Sequence, residues 1–123
     1  MRALVVDDSR AMRTILSRFL KDLGYEVVQA GNGQEALDLL ADTHDVDVAL
    51  VDWNMPVMDG LDFVGVCRQD ERLRKVTLMM VTTESEQSQI VRALAAGAHE
   101  YLIKPFTRDA LVEKLDLLGL GAA

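Results

Sequence analysis

Four places in the sequence carry side chains that could do chemistry together. They are the paired carboxylates Asp7 and Asp8, the carboxylate Asp52 that ends the run DVALVD, the hydroxyls Thr82 and Thr83, and the ammonium of Lys104. Each follows a short apolar run, as a side chain does where a buried strand leaves a core. Carboxylates gathered at one sheet edge repel, by roughly 1 to 4 kcal/mol for a pair about 4 Å apart. A divalent cation removes that cost, and Mg2+ suits the donors, with Mn2+ as an alternative, because it takes a few carboxylates and keeps other positions for water or phosphate oxygens. An aspartate beside such an ion can itself attack phosphorus and form an acyl phosphate. Asp52 is the expected acceptor, with the Thr82 hydroxyl and Lys104 ammonium binding the remaining phosphoryl oxygens.

The elements that must position these groups are legible as alternating runs. Apolar stretches occur at Ala3 to Val6, Val27 to Val28, Val46 to Val51, Val76 to Val81 and Tyr101 to Ile103. The first, third and fourth are nearly continuous, the pattern of strands buried on both faces. Between them Met12, Ile15, Leu16, Phe19, Leu20 and Leu23 keep helical spacing, opened by Ser9 and stopped by Gly24. Further helices are predicted after Asn32-Gly33, after Asp59-Gly60, from about Glu84 to Gly97, and from an N-cap at Thr107. Five strand and helix alternations predict an α/β fold, a (βα)5 doubly wound parallel sheet of order 2-1-3-4-5, flavodoxin-like. In such sheets functional groups collect at the carboxyl ends of the strands where the connection direction reverses, here between strands one and three. Asp7, Asp8 and Asp52 would meet there.

The 123 residues fit a single domain, 1–123, with 119–123 expected to fray. Half the residues are hydrophobic, enough for a core. Thirteen basic against twenty acidic residues, a net charge of -7, argue against nucleic acid or an anionic membrane as partner. The lone Cys67 reads as a buried small hydrophobe, and with no signal peptide or membrane span the protein is expected in the cytoplasm. Trp53 reads as a partly exposed loop side chain. Met55, Met58, Met79 and Met80 read as packing, and His44 and His99 are assigned no chemistry. Singly, Asp7-Asp8 could cap a helix, Thr82 could finish a strand and Lys104 could snorkel from the edge. Their joint placement at strand ends is what points to phosphoryl chemistry.

The motifs DD at 7 and 8, DWNMPVMDG at 52 to 60, VTT ending at Thr83 and KPF at 104 to 106 resemble the receiver domain of two-component response regulators. DWNMP, GAHEYLIKPFT and the EKL near the end resemble its single-domain, chemotaxis-type members. The resemblance implies Asp52 as phosphoacceptor, and an ion held by Asp7, Asp8, Asp52 and the backbone carbonyl of Asn54. It implies phosphoryl binding by Thr82 and Lys104, a switch formed by Thr82 and Tyr101, and a cis Lys104-Pro105 peptide bond. Asn54 and Glu84 match the polar pair that goes with a short-lived acyl phosphate. Thr83 stands where the family usually has a smaller residue, the segment ESEQSQIVRALAAG lacks the early lysines of the enteric motor-binding form, and the last helix is shorter. A histidine kinase is the implied donor. The implied output is a changed affinity of the helix 4, strand 5, helix 5 surface for a separate target, the flagellar motor switch being one candidate. The protein is expected to be a monomer, with dimerisation on phosphorylation left open. It is expected to be a signalling protein, not an enzyme, apart from reacting with small acyl phosphates and losing its own phosphoryl group. A phosphorelay intermediate or phosphate sink is the alternative, and a phosphorylation-independent binding module is a lesser one. A phosphoaspartate enzyme would need a cap insertion that the short connections do not supply, and a flavin carrier would need a phosphate cradle where DDSRAM stands.

Overall fold

A computed structural model of the chain describes residues 1–43, 45–83 and 89–121. Strands β1 (Arg2–Val6), β2 (Glu26–Ala30), β3 (Val48–Asp52), β4 (Thr77–Thr83) and β5 (Glu100–Lys104) alternate with helices α1 (Arg10–Asp22), α2 (Gly33–Asp42), α3 (Gly60–Gln69), α4 (Ile90–Ala96) and α5 (Arg108–Leu117). All pairings are parallel and the order is β2-β1-β3-β4-β5, as the alternation predicts.

Successive strand residues point to opposite faces, so each strand feeds two cores. Leu4, Val6, Ala49, Val51, Leu78 and Met80 pack with Ala36, Leu40, Phe63, Val64, Cys67 and Ala93 from α2, α3 and α4. Ala3, Val5, Val48, Leu50, Met79 and Val81 pack with Leu16, Leu20, Leu111 and Leu115 from α1 and α5. β3 is buried throughout. At about 1.5 to 3 kcal/mol for each large side chain taken out of water, these two layers hold the strand ends in place.

The helix starts follow their caps. Ser9 Oγ accepts the Met12 amide, Asn32 the Glu35 amide, Asp59 the Asp62 amide and Thr107 the Ala110 amide. Each satisfies an amide that a helix start leaves orphaned. The helix expected from about Glu84 is described only as Ile90–Ala96, and Glu84 and His44 lie outside the described residues.

One sequence expectation needs correcting, and two segments hold structural bonds that the sequence did not signal. Trp53 is 5% exposed, packed in the α2/α3/α4 core, because its amide donates to Val81 O and carries the β3 pairing one residue further. In the tail, Leu120 N donates to Leu115 O, Gly119 takes φ +74, and the Tyr25 hydroxyl donates to Leu120 O and Gly121 O, while residues 122–123 lie outside the described residues. Gly119 supplies the left-handed residue that closes a helix end, and Leu120 packs behind it on the α1/α5 core. His99 has a structural task, its Nδ1 accepting the Leu78 amide at 3.0 Å where β4 begins. Burial, then the charge of Arg68, lowers the His99 pKa and keeps that acceptor unprotonated. Arg68 donates to Arg74 O and Val76 O, binding the segment before β4 to α3.

Candidate functional site

Register brings the acids together. Val6 pairs with Val51, so the next residues, Asp7 and Asp52, leave neighbouring strands side by side at the point where the connection direction reverses. The carboxylates of Asp7, Asp8 and Asp52 each offer an oxygen within 4.8 Å of the others. Asp7 and Asp52 are buried, at 1% and 8% exposure, and Asp8 is exposed.

Lys104, the last residue of β5, reaches across β4 into this cluster. Its Nζ lies 3.2 Å from Asp52 Oδ1 and 3.3 Å from Asp7 Oδ2. The other Asp7 oxygen accepts the Ser9 amide at 2.8 Å. Burial pushes the Asp52 carboxyl up to about 6, the Asp7 charge adds to it, and Lys104 pulls the other way without prevailing. One ammonium shared between two buried carboxylates cannot satisfy both. Burial works against the Lys104 charge, yet Asp52 and then Asp7 hold its pKa above the ordinary lysine range.

Thr82 is fully buried near the end of β4, and among the described residues its hydroxyl has no hydrogen-bond partner. A buried hydroxyl without a partner costs about 1 to 3 kcal/mol. Thr82 follows Val81, the β4 residue that pairs with Asp52. Asn54 lies exposed in the turn after Asp52, Thr83 is half-buried opposite Lys104, and Tyr101 is half-buried opposite Met80. The Lys104-Pro105 peptide bond is cis.

Three supports of the site left no mark in the sequence pattern. Arg13 Nη1 donates to Asp7 O at 2.6 Å and ties down the backbone between the acidic pair and α1. Nothing at a six-residue separation signals such a bond. Gly60 sits where a Cβ would collide with Asp52 O and lie 2.7 Å from Met80 Cε, so only glycine lets α3 start against the end of β3. Its position in MDG was legible as a turn, but not this close approach. The third is Lys114, whose Nζ lies 4.1 Å from the centre of the Tyr101 ring.

Three carboxylates, a neutralising ammonium and a buried hydroxyl form a donor set for a hard divalent cation and a tetrahedral oxyanion. The residues fit Mg2+, since the ligating oxygens already lie within one ion's reach of each other. Among the described residues no helix is long and apolar enough to cross a membrane.

Residues 3–116 match the family described as response regulator receiver domain. The chain is similar to the chemotaxis protein CheY homolog of Campylobacter jejuni, 45% identical with 99% of this chain and 95% of that protein covered. It is also similar to chemotaxis protein CheY1 of Helicobacter pylori, 44% identical over 96% of each. Among solved structures, the chemotaxis response regulator CheY4 of Vibrio cholerae superimposes with a TM-score of 0.87 at 37% identity, covering 95% of this chain and 97% of that one.

Proposed function

This chain belongs to the family of response regulator receiver domains, and from that premise we propose that it is a stand-alone, chemotaxis-type regulator phosphorylated on Asp52 by a histidine kinase. The observation that carries the reading is the Asp52 carboxylate, held between Lys104 and the acidic pair.

In this reading Asp7, Asp8, Asp52 and the Asn54 carbonyl hold Mg2+. When bound, the ion neutralises charge on the phosphoryl oxygens and relieves the repulsion among the acids. An Asp52 oxygen forms the new bond to phosphorus while the bond from phosphorus to the phosphohistidine nitrogen breaks, and the imidazole leaves with the electron pair. Burial that raises the Asp52 pKa also strips water from the nucleophile, and Lys104 keeps it ionised and in place. Lys104 then moves its contact from the carboxylate to a phosphoryl oxygen, and Thr82 donates its unused proton to another. Drawing Thr82 toward the phosphoryl group opens space beside β5 for Tyr101 to turn inward. That change biases the surface of α4, β5 and α5 toward a separate target, for which the motor switch protein of flagella is the first candidate.

The test is to add Mg2+ and a small acyl phosphate to the protein while following Trp53 fluorescence and intact mass, with Asp52→Asn as control. The expected result is a mass gain of one phosphoryl group and a Trp53 change, both absent in the variant. A phosphoryl group retained by Asp52→Asn, or none taken up by the wild type, would overturn the reading.

A further inference from the structure

Tyr101 and Glu100 are neighbours on β5 and so point to opposite faces of the sheet. Tyr101 packs on the α2/α3/α4 core, whereas Leu102, in step with Glu100, belongs to the α1/α5 core. Lys114 stands on α5, between Leu111 and Leu115 of that second core, yet its ammonium lies 4.1 Å from the Tyr101 ring centre. The lysine therefore reaches round the edge strand from one layer to a ring held by the other. Glu100 directs it there, with Oε1 accepting from Lys114 Nζ at 3.0 Å and from the Tyr101 amide at 3.0 Å. Both partners of the ion pair are largely sheltered, with side chains 23% and 19% exposed.

We propose that Lys114, steered by Glu100, is a positioning residue for Tyr101, holding the ring in the half-exposed place seen here and thereby setting the resting balance of the switch. A cation over a ring face is attracted by the ring's quadrupole, more so when water is partly excluded. A free lysine would lose much of that gain in side-chain entropy. Glu100 anchors the ammonium already, so the ring contact forms at little further ordering cost. Turning Tyr101 inward gives up the contact, while Glu100 keeps the ammonium at the sheet edge. The position of Tyr101 then depends on this edge contact as well as on Thr82. The inference rests on reading Tyr101 as the moving element.

The experiment follows the Tyr101 ring signals by NMR in the full chain, assigned with Tyr101→Phe, in wild type, Lys114→Met, Lys114→Arg and Glu100→Gln. Each is recorded with and without Mg2+ and acyl phosphate, with Asp52 phosphorylation read by mass. Without phosphodonor, Lys114→Met is expected to move the ring signals toward those of the phosphorylated wild type. The ratio of the two ring positions should change by about two- to fivefold. Lys114→Arg, which keeps a cation over the ring, restores the wild-type signals, and Glu100→Gln falls between. Unmoved ring signals in both Lys114→Met and Glu100→Gln, beside a wild type that responds to phosphorylation, would overturn the latch and leave the receiver reading standing. A wild-type ring that ignores a phosphorylated Asp52 would overturn the switch and the latch with it.

Discussion

Asp52 and Thr82 are each held in a condition that the folded protein tolerates at some cost. Burial, with Asp7 adding to it, raises the Asp52 carboxyl from 3.8 to about 6. Between those values the folded protein holds a proton that the unfolded chain has released, so metal-free stability falls as pH rises through that window. Asp52→Asn should accordingly be more stable than the metal-free wild type at neutral pH, by on the order of 2 kcal/mol in urea unfolding. The gap should close toward the acidic end of the window, and Mg2+ should narrow it at neutral pH. Thr82→Val should leave stability unchanged or raise it by about 1 kcal/mol, because the lost hydroxyl has no partner among the described residues. The same variant should still take up a phosphoryl group, more slowly, while Tyr101 no longer responds. A large loss of stability in Thr82→Val would mean that the hydroxyl has structural work in the resting protein. Asp7, Asp8, Asp52, Thr82 and Lys104 were legible because each follows an apolar run. Arg13 was not, because its bond goes to a backbone carbonyl, and any residue has one of those.

Among the elements, the junction of β3 with α3 tolerates least change. Adding a methyl group at Gly60 would press on the Asp52 carbonyl and on Met80. Gly60→Ala is expected to cost about 1 to 3 kcal/mol, as overpacking does, and to slow phosphorylation by displacing Asp52. Wild-type kinetics with acyl phosphate in this variant would show that the end of β3 can yield without disturbing Asp52. Strand and helix order could be read from the sequence since buried parallel strands are continuous apolar runs and the helices begin at Ser9, Asn32, Asp59 and Thr107. Trp53 was misread for a related reason. It follows the polar Asp52 and precedes Asn54, so it resembles loop, but the β3 pairing with β4 outlasts the apolar run and turns the indole into the core. The bond that His99 makes left no sign in the sequence, because a lone histidine does not show that it will stand in for a strand's carbonyl.

For the molecule as a whole, the beginning of β2 is a gathering point. The Tyr25 hydroxyl donates to the carbonyls of Leu120 and Gly121, and the Glu26 amide donates to Met1 O. Burial, then the Asp47 charge, raises the Tyr25 pKa and keeps the phenol a donor. Tyr25→Phe is expected to cost about 1 kcal/mol and to speed amide hydrogen exchange at Gly119 and Leu120. Exchange there as slow as in the wild type would show that Leu120's apolar packing holds the tail alone. The edge at which Asp7 and Asp52 leave their strands is the opposite end of the sheet from this gathering point. Two adjacent residues, Tyr25 and Glu26, thus hold Met1 and Leu120 near each other, far along the strands from the acidic cluster. A circularly permuted version, with its old ends spliced through a short linker, should rebuild the same sheet and keep its acidic edge intact.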